Sequence, residues 1–393
     1  MILNLQLEYQ IPFFNSKKSK DEGKILFKLF KHKKFNLNDF NLTLKFSSTN
    51  VIVRSKESNK IIYDLNLSGE YDSIQRDKKK KNSFVLSKNK QKIMTLTFQL
   101  LYTKGSVSTE SEYVLYLGRT ENTIFYVGLY EFGTLKFNEQ GLAIEKRVKH
   151  DSVYWGAFDD DSKSFILSRG KNGIESWNWN KEYPEKNWEL PDLDVIKGLL
   201  LEPSRTILAG TSEGKILQIN LKGKLIKEYF FESEAIRYMI WMKGCICLTK
   251  KNFIYKFNLE GKLQWKIKLK TEKSNNNAYY YKNKLYVVTD QSVLWILNPE
   301  NGKIKEKHFL VKDIESPITI FRNNWLIYAS LEKIQGKLLS SKNISDFSVR
   351  FTDKIMRALL LVDEKTILVG DDDGKIVHLQ GPMFKFGVPD NEN

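Results

Sequence analysis

Short apolar runs of strand length alternate with turns rich in Gly, Asn and Asp, and beyond about residue 112 they fall into a repeating order. The first run of each unit is wholly apolar, as in Gly198-Leu-Leu-Leu201, Tyr238-Met-Ile-Trp241 and Ala358-Leu-Leu-Leu-Val362. Continuous runs of this kind suit strands covered on both faces. The second run follows a polar turn: Thr206-Ile-Leu-Ala209, Thr366-Ile-Leu-Val369, Lys284-Leu-Tyr-Val-Val288. The third alternates, as in Lys215-Ile-Leu-Gln-Ile-Asn-Leu221, and the fourth is the most polar, as in Lys224-Leu-Ile-Lys-Glu-Tyr-Phe230 and Lys262-Leu-Gln-Trp-Lys-Ile-Lys268. A gradient from apolar to polar across four strands predicts a small sheet whose inner edge meets protein and whose outer edge meets water.

The turns that close these units fall at Gly141, Asn180, Gly223, Gly261, Gly302, Ser341 and Gly381, every 38 to 43 residues. A propeller blade of four short strands occupies roughly 40–45 residues. The spacing therefore predicts an all-β chain whose residues 112–388 form a seven-bladed β-propeller, with a tail at 389–393. Asn298-Pro-Glu-Asn-Gly-Lys303 and Leu259-Glu-Gly-Lys-Leu-Gln-Trp265 resemble the turn of quinoprotein-type propellers, in which a strand ends in Asn-x-x-x-Gly-Lys and a Trp follows. The units as a whole are similar to those of the WD-repeat and quinoprotein-like superfamily. The Gly-His and Trp-Asp dipeptides of regular WD repeats are missing, and Trp177-Asn and Trp179-Asn are their nearest echo. The resemblance implies a fold and leaves the activity open, because unrelated functions share this scaffold.

Residues 10–105 do not follow the repeat. Strand-like stretches at Asn41–Phe46, Val51–Val53, Lys60–Leu65, Ser83–Leu86 and Ile93–Phe98, separated by turn-rich segments, predict a small basic β-rich domain. A pleckstrin-homology-like sandwich is one arrangement that fits. Met1–Tyr9 alternates well and is expected to cross to the propeller as the outer strand of its last blade, with Met383–Phe386 as the alternative donor.

Charge changes the picture in one respect. The net charge is +16, and residues 1–104 hold 21 Lys and Arg against 9 Asp and Glu. The excess belongs to the N-terminal quarter, a bias that suggests an acidic partner. It concentrates in two clusters, Lys28, Lys31, Lys33 and Lys34 and then Lys78, Lys79, Lys80 and Lys81. Each reads either as an anion-binding surface for nucleic acid or anionic lipid, or as a solvated loop and lysine-rich strand edge. The first residues lack a basic n-region, Glu8 interrupts any apolar core, and no run reaches the ~18 apolar residues of a membrane helix. Two cysteines exclude a disulfide framework. A cytoplasmic or nuclear protein is expected.

Catalytic and metal motifs fare poorly. His32, His150, His308 and His378 stand at no metal-ligand spacing. Cys245 and Cys247 share one face of an apolar strand and read as a buried pair. Asp159–Asp161 and Asp371–Asp373 read as hairpin turns. Aligning the units at the entry to the first strand brings Trp155, Lys197, Arg237, Tyr279, Thr319 and Arg357 to equivalent places near one mouth of the central channel. Converging cations in a concave site attract anions. The competing reading pairs each cation with a local acid: Asp194, Glu234 or Asp353. Together these point to a non-enzymatic scaffold that mediates protein–protein interaction, with the basic N-terminal domain touching an acidic partner and no cofactor or metal required. The alternatives are a non-catalytic RNA- or DNA-binding subunit, or a quinoprotein-like or hydrolytic propeller enzyme, which would need carboxylates or His at the channel.

Overall fold

A computed structural model describes strands between residues 33 and 99 and, from Tyr102 to Gly387, all residues except 202–203, 232, 271–276, 290–292, 311–313, 315, 322–324, 340–346, 351–352, 364 and 382. The chain divides into two compact units, Met1–Leu100 with Pro382–Asn393, and Leu101–Gly381. No helix occurs among the described residues.

The larger unit is a seven-bladed β-propeller. Seven four-stranded antiparallel sheets follow one another, the first built from Val114–Arg119, Ile124–Gly128, Glu131–Asn138 and Gly141–Lys149. The inner strand of each blade lies against that of the next, and Met356–Leu361 of blade 7 lies against Val114–Arg119 of blade 1, which closes the ring. The outer place in blade 7 is taken by Tyr102–Ser108, paired with Lys375–Gln380. This corrects the expectation for the closing strand. Met383–Gly387 pairs with Gln91–Gln99 in the smaller unit, and residues 1–9 lie outside the described residues. The propeller's bounds accordingly sit earlier in the chain than 112–388.

The core lies between blades rather than within them. In Cys245–Thr249 of blade 4, Ile246 and Leu248 pack with Leu285, Val287 and Trp295 of blade 5, while Cys245 and Cys247 pack with Leu208 and Ile216 of blade 3. Each strand thus serves two cores with its two faces, which is why it reads as a continuous apolar run. The cysteines are buried free thiols with Sγ atoms 3.6 Å apart, and burial pushes the Cys247 thiol up. Burial is nearly complete on the second strand of each blade. Thr206–Thr211, Trp325–Ser330 and Thr366–Asp371 are buried throughout, whereas the inner strand Val195–Leu201 leaves every position but three partly open. The inner strand of blade 3 borders the channel, whereas the strand behind it is covered on every side.

A repeated contact ties successive blades. Trp188 of blade 2 donates its indole N–H to the Leu221 carbonyl of blade 3 at 2.7 Å, Tyr229 of blade 3 donates its hydroxyl to the Leu259 carbonyl of blade 4, and Trp265 of blade 4 donates to the Pro299 carbonyl of blade 5 at 3.0 Å. Each ring covers a turn glycine with positive φ: Gly223 (78°), Gly261 (86°) and Gly302 (70°). A Cβ on Gly302 would stand 2.8 Å from the Trp265 ring. The turns are held locally by asparagine: Asn220 Oδ1 accepts from the Lys222 and Lys224 amides at 3.0 and 2.9 Å, and Asn258 Oδ1 from the Lys262 amide at 2.8 Å. Both acidic stretches are turns of the same kind, with Asp371 accepting from the amides of Asp373 (3.0 Å) and Lys375 (2.9 Å).

Blades 1 and 2 are joined differently. Glu175, fully buried, meets His150 Nε2 at 2.5 Å, Lys186 Nζ at 3.1 Å and Arg169 Nη1 at 3.4 Å, and accepts the Trp177 indole N–H at 2.7 Å. Burial alone would raise this carboxyl; the hydrogen bonds from His150 and Trp177, with the His150 charge and Lys186, outweigh it and hold it at about 2.

Two outcomes are expected. Replacing Trp265 by Ala should cost about 3–5 kcal/mol and Gly302→Ala about 1–3 kcal/mol. Because both break one contact, a double-mutant cycle by urea denaturation should depart from additivity by at least ~0.5 kcal/mol; strict additivity would contradict the clasp. The depressed Glu175 carboxyl adds stability above its unfolded value near 4.5, and this is lost as pH falls toward about 2. Glu175→Gln should therefore flatten stability against pH in that window, read by thermal melts across the acid range.

Candidate functional site in the central channel

The inner strands wall a central cavity of about 830 Å³. That volume lies within the roughly 300–1,000 Å³ typical of ligand sites. All six residues aligned from the sequence, Trp155, Lys197, Arg237, Tyr279, Thr319 and Arg357, line it. The structure therefore brings together, on blades 2 to 7, residues spread over more than half of the chain.

Their presentation depends on a backbone irregularity. Register slips by one residue at the entry of four inner strands, so that Leu115, Ile196, Arg237 and Arg357 lie unpaired in the ladder. A β-bulge of this kind re-aims side chains that strict alternation would send to opposite faces. Consecutive residues consequently reach the cavity wall: Leu115 with Tyr116, Ile196 with Lys197, and Arg237 with Tyr238. The register also corrects the alignment. Lys197 pairs with Gly210 and is equivalent to Tyr238, paired with Leu248, while the equivalent of Arg237 is Ile196. Next to Lys197, Gly198 lets the Trp155 ring lie on the strand, since a Cβ there would stand 2.5 Å from it.

The cations differ in how they are compensated. Arg357 is tied to Asp372, with Nη2–Oδ2 at 3.1 Å and a second contact through Nε, and its guanidinium lies 5.9 Å from the Tyr113 ring centre. Asp372 thus takes the place that the sequence reading gave to Asp353. Asp194 instead accepts from the Ser212 hydroxyl, and Glu234 is bound by Lys251. No ion pair or hydrogen bond joins the Lys197 ammonium or the Arg237 guanidinium to another described residue, and Arg237 Nε is buried without a partner. Burial, reinforced by the Arg237 charge, lowers Lys197 to about 8. Thr319, 3% exposed, also has a hydroxyl without a partner.

Phenols make up much of the remaining polar wall. Tyr238 is raised by burial and then by the nearby Tyr116 and Tyr279, so these three hydroxyls share one region. Among the described lining residues there is no Asp, Glu or His, while Arg119 adds a fourth cation from the far end of its inner strand. Sequence reading missed Arg119, Tyr116 and Tyr238. Arg119 ends its strand, where a search at strand entries does not look, and the tyrosines look like core residues until the bulge exposes them.

Lys33 and Lys34 lie on the strand Lys33–Leu37, which pairs with Leu42–Phe46 in the smaller unit. Lys28, Lys31, Lys78, Lys79, Lys80 and Lys81 lie outside the described residues. No protein-family model matches the sequence, and no curated protein is significantly similar to it.

A desolvated cation without a counter-charge destabilises its fold. Lys197→Met should therefore raise stability by about 1 kcal/mol at neutral pH. The unfolded lysine keeps its proton up to its ordinary value near 10.5 and the folded one only to about 8, so wild-type stability should climb across that window and the gain from Lys197→Met should vanish at its top. Urea melts at both ends of the window test this; a loss of stability in the variant would mean that Lys197 has a partner.

Proposed function

We propose that the chain is a non-catalytic propeller that holds a protein partner by an acidic segment entering the central channel. The observation that carries this reading is the wall itself: Arg119, Lys197, Arg237 and Arg357 with no carboxylate or histidine among the described lining residues. A rigid concave wall of one charge sign focuses its field on an anion and raises the rate of encounter. Tyr and Trp side chains beside the cations supply contact area of the kind that anchors protein interfaces. A hydrolytic or redox propeller site would draw on carboxylates or histidine, and the ionisable groups among the described lining residues are Lys, Arg and Tyr. The basic N-terminal residues, Lys33 and Lys34 with the Lys28 and Lys78–Lys81 clusters, form a second contact for the same acidic partner.

Affinity capture from native lysate, with and without nuclease, compares the wild type with Lys197→Gln/Arg237→Gln. Arg357 is left intact because its pair with Asp372 is structural. A nuclease-resistant protein held by the wild type and weakened at least ~10-fold in the variant is expected, as for other close charge pairs at an interface. Partners that vanish on nuclease treatment would favour the nucleic-acid-binding alternative, and unchanged capture would remove the channel from the interface.

A further inference from the structure

Resting on that reading, we propose that Lys197 and Arg237 form a site for a phosphate monoester, so that the group the channel selects is a phosphate rather than a carboxylate. The two side chains come from adjacent inner strands, Val195–Leu201 of blade 3 and Ile236–Trp241 of blade 4, which lie against each other. They are close enough for the Arg237 charge to be felt at the Lys197 amine. Both line the cavity, and neither has an acid partner among the described residues.

What such a pair lacks defines its ligand. An ammonium offers three donors and a guanidinium five, and neither accepts a hydrogen bond. Arg237 Nε is buried without an acceptor. A ligand that satisfies this set is rich in acceptors, carries no donors of its own and brings two negative charges to one point. A phosphate monoester carries about −1.5 to −2 charges at neutral pH on three strong acceptor oxygens. A carboxylate brings one charge and leaves one cation uncompensated. A phosphodiester also brings only one per group, and a nucleic-acid duplex, with a major groove alone about 12 Å wide, does not fit a cavity of about 830 Å³. The planar guanidinium matches phosphate oxygens two at a time, and the lysine adds a point charge beside it.

Arg357 serves as an internal contrast. It faces the same cavity but its charge is neutralised by Asp372. The wall therefore holds one compensated and two uncompensated cations at its strand-entry end, which is local recognition rather than a uniformly basic lining.

Fluorescence anisotropy on the full chain tests the assignment with short labelled Gly/Ser/Ala peptides that carry phosphoserine, Glu or Ser at the centre. The phosphoserine peptide should bind at least ~10-fold more tightly than the Glu peptide, and Lys197→Gln or Arg237→Gln should each cost about 10-fold or more. Lys305→Gln, which removes one charge from an exposed outer strand, should leave binding unchanged. Competition separates the sources of the group. Inorganic phosphate that competes far more weakly than the phosphopeptide places the ester on a partner protein; equal competition assigns it to a small phosphate ester. Equal binding of the phosphoserine and Glu peptides overturns the assignment, as does a loss of binding in Lys305→Gln as large as in Lys197→Gln. If no phosphate probe binds while lysate capture still depends on Lys197 and Arg237, the phosphate assignment fails and the docking reading survives. If the phosphopeptide binds but capture is indifferent to both residues, the docking reading fails instead.

Discussion

An aromatic ring laid on a glycine turn of the next blade, and tied to that turn's carbonyl, is the contact on which the ring depends. The outer strand of a blade has little else to hold it. In Leu225–Phe230 only Tyr229 is buried, and Leu225, Ile226 and Phe230 are all largely exposed. Hydrophobic burial cannot anchor a strand that faces water, so its one inward aromatic residue carries the attachment. Trp188, Tyr229 and Trp265 do this at three successive junctions. The ring needs a surface without a side chain, and the turn needs a positive φ that L-residues resist; glycine meets both demands at once. Ring and glycine are thus one constraint placed 32 to 37 residues apart in the chain.

That constraint explains why the blade repeat can be read from the sequence. Gly223, Gly261 and Gly302 are demanded by local backbone geometry and by one contact, so they recur at the last turn of three successive blades. The closing strand was illegible for the opposite reason. Tyr102-Thr-Lys-Gly-Ser-Val-Ser108 has no apolar alternation, because an outer strand paired along one edge needs only its backbone; Thr103, Lys104, Ser106 and Ser108 are exposed. Segments with better alternation, Met1–Tyr9 and Met383–Phe386, drew the expectation away from it. Periodicity reports which faces are buried and says little about which edges pair.

The channel wall was legible in composition and not in register. Cations at the starts of apolar runs mark the strand entries, and Lys197, Arg237 and Arg357 do reach one cavity. The bulges are invisible in a single sequence, so Lys197 was aligned with Arg237 although the ladder makes it the equivalent of Tyr238. The state of compensation was equally hidden. Each cation has an acid within four residues in the chain, yet Asp194 and Glu234 bind Ser212 and Lys251, and Arg357 takes Asp372, fifteen residues away, from the turn that follows Thr366–Asp371. Which acid meets which cation is decided by the hairpins between strands, and a pattern along the chain does not contain it.

The clasp and the channel are connected through rigidity. A surface lysine or arginine without a partner swings into water and costs the fold little. The strands that carry Lys197 and Arg237 are fixed behind by wholly buried neighbours, Thr206–Thr211 and Cys245–Thr249, and laterally by the adjoining blades. Both side chains line the same cavity. Like charges held together in this way oppose folding. The interlocked cores and clasps absorb that opposition without letting the strands that carry the cations separate, so on the proposed reading an anion entering the channel would meet donors mounted on a rigid backbone. Little backbone freedom would then be lost on binding, which is one source of affinity in a preorganised site.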